Sequence, residues 1–453
     1  MTFHWTQLTP ATTGRLVALV SAFVVALSVV VVATGARAAV EIQEVVSDKG
    51  VRAWLVEDYT VPIVTMRFAF RGGSTQDPDG KEGLANLMTG LFDEGAGDLD
   101  SDAFQKALDE AGAEMSFDQS RDELSGSIRM LAETREKAFD LLRLAVNDPR
   151  FDPAPVDRIR AQIVSGIIAD SRNPSTLAQI AFNEALFGDH PYARRDEGTA
   201  ESLATVTPDD LKTAREKMFG RDNLYVAVVG AIDPEDLKRE LDRVFGDLRE
   251  KADLAPVADI QPNLGQETRL DYPVPQTTLR LAYPGMVRQN PEYFAAYLMN
   301  HMLGGGTFSS RLFEEVREKR GLVYGISSYI VNFDHATALM IGTGTAPDKA
   351  EETLAIIRDE VRRMAEEGPT EDELREAKEY VLGAYAINNL DSSSSIARTL
   401  VDIQVNDLGI DYIDRRVSLI NSVTLDQVKA AAKLLLDAEP AVMIMGPQTT
   451  NGG

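Results

Sequence analysis

The chain writes one folding unit twice, and that repetition limits the architectures open to it. Residues 59–70, YTVPIVTMRFAF, line up with residues 272–283, YPVPQTTLRLAY, at an offset of 213. A second pair closes the units. Residues 206–212, VTPDDLK, match residues 423–429, VTLDQVK, at an offset of 217, and each is followed by an apolar stretch ending in Gly230 or Gly446. Two matches in the same order at nearly the same spacing define tandem domains of about 200 residues, a usual domain size. A chain of 453 residues is in any case too long for one ordinary core.

Within each unit, residues 65–70 and 278–283 alternate in the manner of a strand, then pass through a Gly/Pro turn into helical periodicity. Residues 207–218 and 424–436 each open on Thr-x-Asp, which caps a helix N-terminus. The strands that follow, 224–229 and 441–445, are almost wholly apolar, as strands covered on both faces are. Strands and helices mix without strict βαβ alternation. The expected class is α+β, two tandem homologous domains, each a mixed or antiparallel sheet backed by helices. The expected boundaries are 39–248 for the first domain, 249–267 for a linker containing Pro256, Pro262 and Gly265, and 268–453 for the second domain.

Residues 1–38 form a separate segment. They contain no Asp or Glu, and an apolar run over 16–33 leads to Ala36-Arg37-Ala38, an A-x-A cleavage pattern. The expectation is an exported, periplasmic protein cut after Ala38. The alternative is an N-terminal membrane anchor, because 18 residues is near the lower limit for a span. Without stable insertion, cleavage removes Arg15 and Arg37 and takes the formal charge from −25 to −27. Such a chain repels phosphate backbones, which argues against a nucleic-acid partner. Zero cysteines exclude disulfides, thiolate metal sites and cysteine nucleophiles.

Two stretches carry chemistry. The first runs from Arg71 through Gly80 and Gly83-Leu84-Ala85 into Asn86-Leu87-Met88-Thr89-Gly90 at the head of a helix. It resembles the active-site region of the pitrilysin/insulinase metallopeptidases, where Gly-Leu-Ala precedes His-x-x-Glu-His. In that motif both histidines bind zinc from one helix face and the glutamate polarises a water. Here Asn86 and Gly90 stand at the histidine positions and Thr89 at the glutamate, so no imidazole or general base remains. The family's third ligand falls near Gly166, with no carboxylate between Asp157 and Asp170. His4, His190, His301 and His335 are far apart and show no metal-binding spacing, and His190, in His-Pro-Tyr192, reads as a loop-packing residue.

The second stretch, residues 304–324, GGGTFSSRLFEEVREKRGLVY, is similar to the family's second-domain signature, in which an arginine precedes a tyrosine by seven residues. Those residues are Arg317 and Tyr324. Residues 309–320 read as a charged helix that Gly321 ends in the left-handed conformation, which lets the pair converge on one surface. The plain reading is a solvated helix face and an ordinary strand aromatic. The resemblance instead implies a non-catalytic subunit of a heteromeric zinc peptidase. Arg317 and Tyr324 would donate hydrogen bonds to a peptide substrate at the zinc site of a homologous partner. It gives Gly304, Gly305 and Gly306 a substrate contact, the bland alternative being a flexible turn. No cofactor is expected in this chain, the zinc belonging to the partner. A rival from a different class is an inactive scaffold member of the same family.

Overall fold

The computed structural model describes residues 40–447, so the export segment and its cleavage site lie outside the described residues. From Ile42 onward the described chain makes one compact unit. Its first half runs β1 (Gln43–Val46), β2 (Arg52–Glu57), β3 (Ile63–Arg71), α1 (Leu84–Thr89), α2 (Ser101–Ala111), β4 (Glu114–Gln119), β5 (Glu123–Leu131), α3 (Arg135–Asn147), α4 (Pro153–Asp170), α5 (Pro174–Phe187), α6 (Ala200–Thr205), α7 (Pro208–Met218), β6 (Leu224–Gly230) and α8 (Pro234–Phe245). The second half runs β7 (Glu267–Asp271), β8 (Thr277–Pro284), α9 (Tyr293–Asn300), β9 (Val323–Asn332), β10 (Thr337–Thr345), α10 (Ala350–Glu367), α11 (Glu371–Asn389), α12 (Ser393–Val405), α13 (Tyr412–Ser422), α14 (Leu425–Leu436) and β11 (Ala441–Gly446). β7 thus starts one residue inside the stretch read as linker.

The repeat is realised as topology. The first sheet has the order β1-β2-β6-β3-β5-β4 and the second β7-β11-β8-β10-β9. Leaving out β1, the two orders are the same, with one parallel pair in each, β2 with β6 and β7 with β11, beside antiparallel neighbours. The duplicated strands β3 and β8 are central. The α+β class and the mixed sheets are as expected.

The expected helix caps form, each closed by a reciprocal bond. Thr207 and Thr424 cap α7 and α14 in this way with Asp210 and Gln427, the third residue of each helix. Asp209 and Asp426 lie in the first turn, where a negative charge suits the helix dipole.

Each sheet is covered on its second face by a helix from the other half. Val64, Met66, Phe68 and Phe70 of β3 point into the core of the first half. The opposite face of β3 and β6 receives α12, a helix of the second half. Thr65 meets Ser393 there at 3.1 Å, Gln404 donates to the Val226 carbonyl at 3.0 Å, and Arg71 to the Val405 carbonyl at 2.6 Å. Reciprocally, Ala178, Phe182 and Leu186 of α5 form one apolar cluster with Ala282, Met340, Met443 and Met445 of the second sheet. This exchange explains why β3 is buried at nearly every residue rather than at alternate ones, only Ile63, Arg67 and Arg71 reaching solvent in part.

Polar groups fasten the same seam. The buried Tyr192 hydroxyl donates to Asp122 at 2.8 Å and accepts the backbone N–H of His335 at 2.9 Å, while Asp122 also accepts the N–H of Asp334 at 3.1 Å. The residues 249–266 run along this seam, with the Ile260 N–H on His335 O and the Asn263 N–H on Leu186 O. Replacing Tyr192 with Phe leaves the Asp122 carboxylate and the His335 N–H without a shared partner in a buried place. The expected loss is about 2 kcal/mol of unfolding free energy, read from urea denaturation of the wild-type and Y192F chains, and an unchanged midpoint would contradict it.

Candidate functional site

The former metal helix is α1, and its start is rigidly built. Gly83 precedes it with φ of +89°, and the buried Asp77 accepts the N–H groups of Gly83 at 2.8 Å and Ala85 at 2.9 Å. Burial pushes the Asp77 carboxyl up to about 7, against the pull of those N–H groups. The helix packs within the first half against β4, α4 and α7. None of its three key positions carries a usual zinc ligand. Asn86 has an amide and no imidazole, and Thr89 is buried with its hydroxyl donating to the Asn86 carbonyl at 2.8 Å. Gly90 has no side chain, and a Cβ built there would lie 2.9 Å from Ile159 of α4. Zinc does not fit this donor set. Gly166 lies on the exposed side of α4 with open space around it.

The described histidines are accounted for by protein contacts. His190 is fixed at both ring nitrogens, Nδ1 accepting the Tyr192 N–H at 3.2 Å and Nε2 lying 2.8 Å from the Ala258 carbonyl, the loop-packing role read from sequence. His301 is buried and stacked on Tyr380, and burial lowers its pKa. His335 faces Asp259 at 3.0 Å. Among the described residues, no group of three or more His, Asp or Glu is placed to hold a metal ion.

The second stretch comes together as one surface. α9 passes into a wider turn at residues 301–305, closed by the Gly306 N–H on the His301 carbonyl at 2.8 Å, five residues back. Gly304 and Gly306 are buried; a Cβ on Gly304 would stand 2.6 Å from Ser328 Oγ, and one on Gly306 would stand 2.8 Å from the His301 carbonyl. Gly305 alone of the three is open to solvent. The segment read as a regular charged helix is instead wound as a π-helix over Phe313–Glu318, with the Lys319 N–H on Glu314 O. Such windings concentrate at functional sites. Gly321, at φ +62°, ends it as expected, its N–H on Arg317 O at 2.8 Å.

Arg317 and Tyr324 meet through the backbone of the tyrosine. Arg317 Nε donates to the Tyr324 carbonyl at 3.3 Å, which ties the helix end to the first turn of β9. The guanidinium lies over the Phe313 ring, 5.1 Å from its centre, and pairs with Glu318. Phe313 in turn takes Phe308 edge-on at 5.0 Å. Tyr324 projects outward at 88% exposure and Phe308 at 77%. A chain of contacts therefore runs from the glycine turn through Phe308, Phe313 and Arg317 to the backbone of Tyr324. Phe308 and Phe313 escaped the sequence reading, although Phe313 stands four residues before Arg317, a spacing at which helical side chains meet.

The other two arginines of this segment have different work. Arg311 is half-buried and held by Glu373 at 2.6 Å, by Glu360 and by the Gly368 carbonyl. Arg320 is exposed and, among the described residues, pairs only with Glu315.

Two sheets of duplicated topology, with Asn86, Thr89 and Gly90 on the helix that resembles a metal-site helix and an exposed Arg/Tyr pair, define the class: a zinc-peptidase scaffold whose metal-helix positions carry no zinc-binding side chain. The chain belongs to the insulinase family, peptidase family M16. The family model "Insulinase (Peptidase family M16)" matches residues 52–200 and "Peptidase M16 inactive domain" matches residues 205–381. An uncharacterised zinc protease of Streptomyces coelicolor is 27% identical over 382 residues, covering 83% of each chain. A protein of Helicobacter pylori named non-peptidase homolog YmxG is 26% identical over 347 residues, covering 76% of this chain and 79% of its own. The crystal structure of a peptidase M16 inactive domain from Pseudomonas fluorescens superposes with a TM-score of 0.84 at 30% identity, over 90% of this chain and 98% of that one.

The donor chemistry at Asn86, Thr89 and Gly90 makes a metal prediction. The mature chain, purified alone and dialysed, is expected to hold well below one equivalent of zinc by elemental analysis and to cleave no peptide. Stoichiometric zinc with chelator-sensitive cleavage would overturn this.

Proposed function

We propose that this chain is the non-catalytic, substrate-binding subunit of a heteromeric zinc metalloendopeptidase. In this reading a homologous subunit carries the zinc, and the two chains enclose a peptide substrate. The observation that carries it is the contrast between the two halves. The metal positions Asn86, Thr89 and Gly90 have no ligand chemistry, while Arg317 is braced by Phe313 and by the Tyr324 carbonyl and Tyr324 is fully presented to the outside. A large aromatic at 88% exposure has no packing role of its own. The relative named a non-peptidase homolog supports loss of activity. Gly305 and Phe308, the open residues of the glycine turn, are the natural points for a peptide to touch.

In the partnered state the Tyr324 hydroxyl donates to the oxygen that gains charge as the partner's zinc site attacks the scissile carbonyl. Arg317 holds a neighbouring backbone carbonyl already present in the bound peptide. Preorganised donors of this kind stabilise the transition state because they are aimed before charge develops. The scaffold reading, in which the chain is inactive and structural only, gives Tyr324 no such task.

In this reading residues 1–38 are an export signal, the assembly works in the periplasm, and Ala39 is the first mature residue. Among the described residues no helix is long and apolar enough to cross a membrane. N-terminal sequencing of the exported protein reads this directly, and retention of residues 1–38 on a membrane-bound product would favour the anchor.

With the reconstituted complex and a short fluorogenic peptide, Tyr324→Phe is expected to leave assembly intact and to lower kcat by about 10²–10³. Arg317→Ala is expected to raise KM as well as lower kcat, since part of its contact exists before the transition state. Arg320→Ala is the control of choice. Arg311 is unsuitable because it is tied to Glu373, Glu360 and the Gly368 carbonyl, so its loss disturbs packing against α10 and α11. If both variants assemble and cleave at the wild-type rate, the pair has no catalytic role and the scaffold reading replaces this one.

A further inference from the structure

A second candidate site lies at the other end of α9 from the glycine turn, and it owes nothing to the Arg317 surface. α9 spans eight residues, about 12 Å at the helical rise. Its first two turns, with α11, α12 and α13, wall a cavity of about 410 Å³. In the second half α9 follows the central strand β8 as α1 follows β3 in the first half. The cavity therefore occupies the part of the repeat that corresponds to the neighbourhood of the lost metal helix.

Three guanidiniums line it: Arg288, Arg398 and Arg416. Arg416 is only 6% exposed. It is held flat over the Tyr385 ring, 4.0 Å from its centre, and makes one long bond from Nη1 to the Val381 carbonyl at 3.4 Å. A guanidinium has five N–H donors, and Arg416 is among the residues that line the cavity. Arg288 is clamped between aromatic rings, 4.3 Å from the centre of Tyr293 and 5.2 Å from that of Tyr412, and it donates to the Tyr412 hydroxyl. Among the described residues none of the three arginines forms an ion pair with a carboxylate. Asp402 is the one carboxylate on the wall, and its Oδ1 accepts from Asn406 at 3.2 Å. The lining thus carries an excess of two positive charges inside a chain whose formal charge is −25.

We propose that this cavity binds the carboxylate of an organic acid with an apolar body. The C-terminal residue of a peptide is one source of that group and a free aryl or alkyl carboxylic acid is another. Arginine forks match a carboxylate in two parallel bonds, and the rings of Tyr293, Tyr412 and Tyr385 hold Arg288 and Arg416 in advance. The volume lies in the range of small-molecule pockets, roughly 300–1,000 Å³, and is far more than a bare ion fills. Tyr293, Phe294, Tyr297 and Tyr385 make the lining strongly aromatic. Asp402 opposes a second negative charge and can accept an N–H from an amide or amine, which favours monocarboxylates over phosphate.

The test uses the full mature chain and isothermal calorimetry with four probes: N-acetyl-Leu-Phe as the free acid, its C-terminal amide, 3-phenylpropionate and inorganic phosphate. The expected result is saturable binding of at least one free acid, with the amide about tenfold weaker or worse. Preference for the dipeptide acid assigns the site to peptide termini, and preference for 3-phenylpropionate assigns it to free acids. Arg288→Gln and Arg398→Gln, both on the more open side of the cavity, are each expected to weaken the acid about tenfold while circular dichroism and melting temperature stay near wild type. Arg416→Gln is expected to abolish binding where it folds. No saturable binding of either acid, equal binding of acid and amide, tighter binding of phosphate, or wild-type affinity in both R288Q and R398Q would each overturn the proposal.

Discussion

The fold depends on a reciprocal loan. Each half of the chain builds a sheet whose second face it cannot cover, and each covers the other's with one helix, α5 in one direction and α12 in the other. Apolar sheet faces left in water would lose the main driving force for folding, so neither sheet can keep its observed burial without the other half. The fully buried strand β11 and the nearly continuous burial of β3 are consequences of this exchange. So is the compact unit that runs from Ile42 onward.

This arrangement also fixes what the two halves present. In the first half, α1 keeps its Asp77 brace, while Thr89 bonds back to the Asn86 carbonyl and Gly90 lies against Ile159. Asp77 is a buried carboxyl that still organises the head of the helix, and its raised pKa reflects that burial. In the second half, the wide turns at 301–305 and 313–318 bend the chain so that the glycine turn, the phenylalanines and Arg317 stack in series behind Tyr324. The first half has lost its chemistry and the second has a surface built outward.

Much of this was legible in the residues, and the reasons for what was not are physical. The repeated strands and the Thr-led helices could be found because each is encoded locally, by alternation and by a side-chain cap. The left-handed Gly321 and the meeting of Arg317 with Tyr324 followed from a fixed spacing. The exchange of α5 and α12 was not visible, because nothing within Pro174–Phe187 or Ser393–Val405 states which sheet it will cover; that is decided by contacts some 200 residues away. The π-winding of Phe313–Glu318 was likewise hidden, since its residues are good helix formers and the extra residue per turn comes from tertiary packing against β9 and α10. The cavity around Arg416 was missed for the same reason: its arginines come from three separate segments, residues 288, 398 and 416.

The central claim is that the Tyr324 surface faces the metal site of another chain with a peptide between them. A photo-crosslinking amino acid placed at position 324 in the assembled complex, followed by mass spectrometry of the products, addresses it directly. The account predicts crosslinks to the partner's zinc-binding helix in the empty complex and to the peptide when substrate is present. Crosslinks confined to remote surfaces of the partner, or unchanged by substrate, would contradict it.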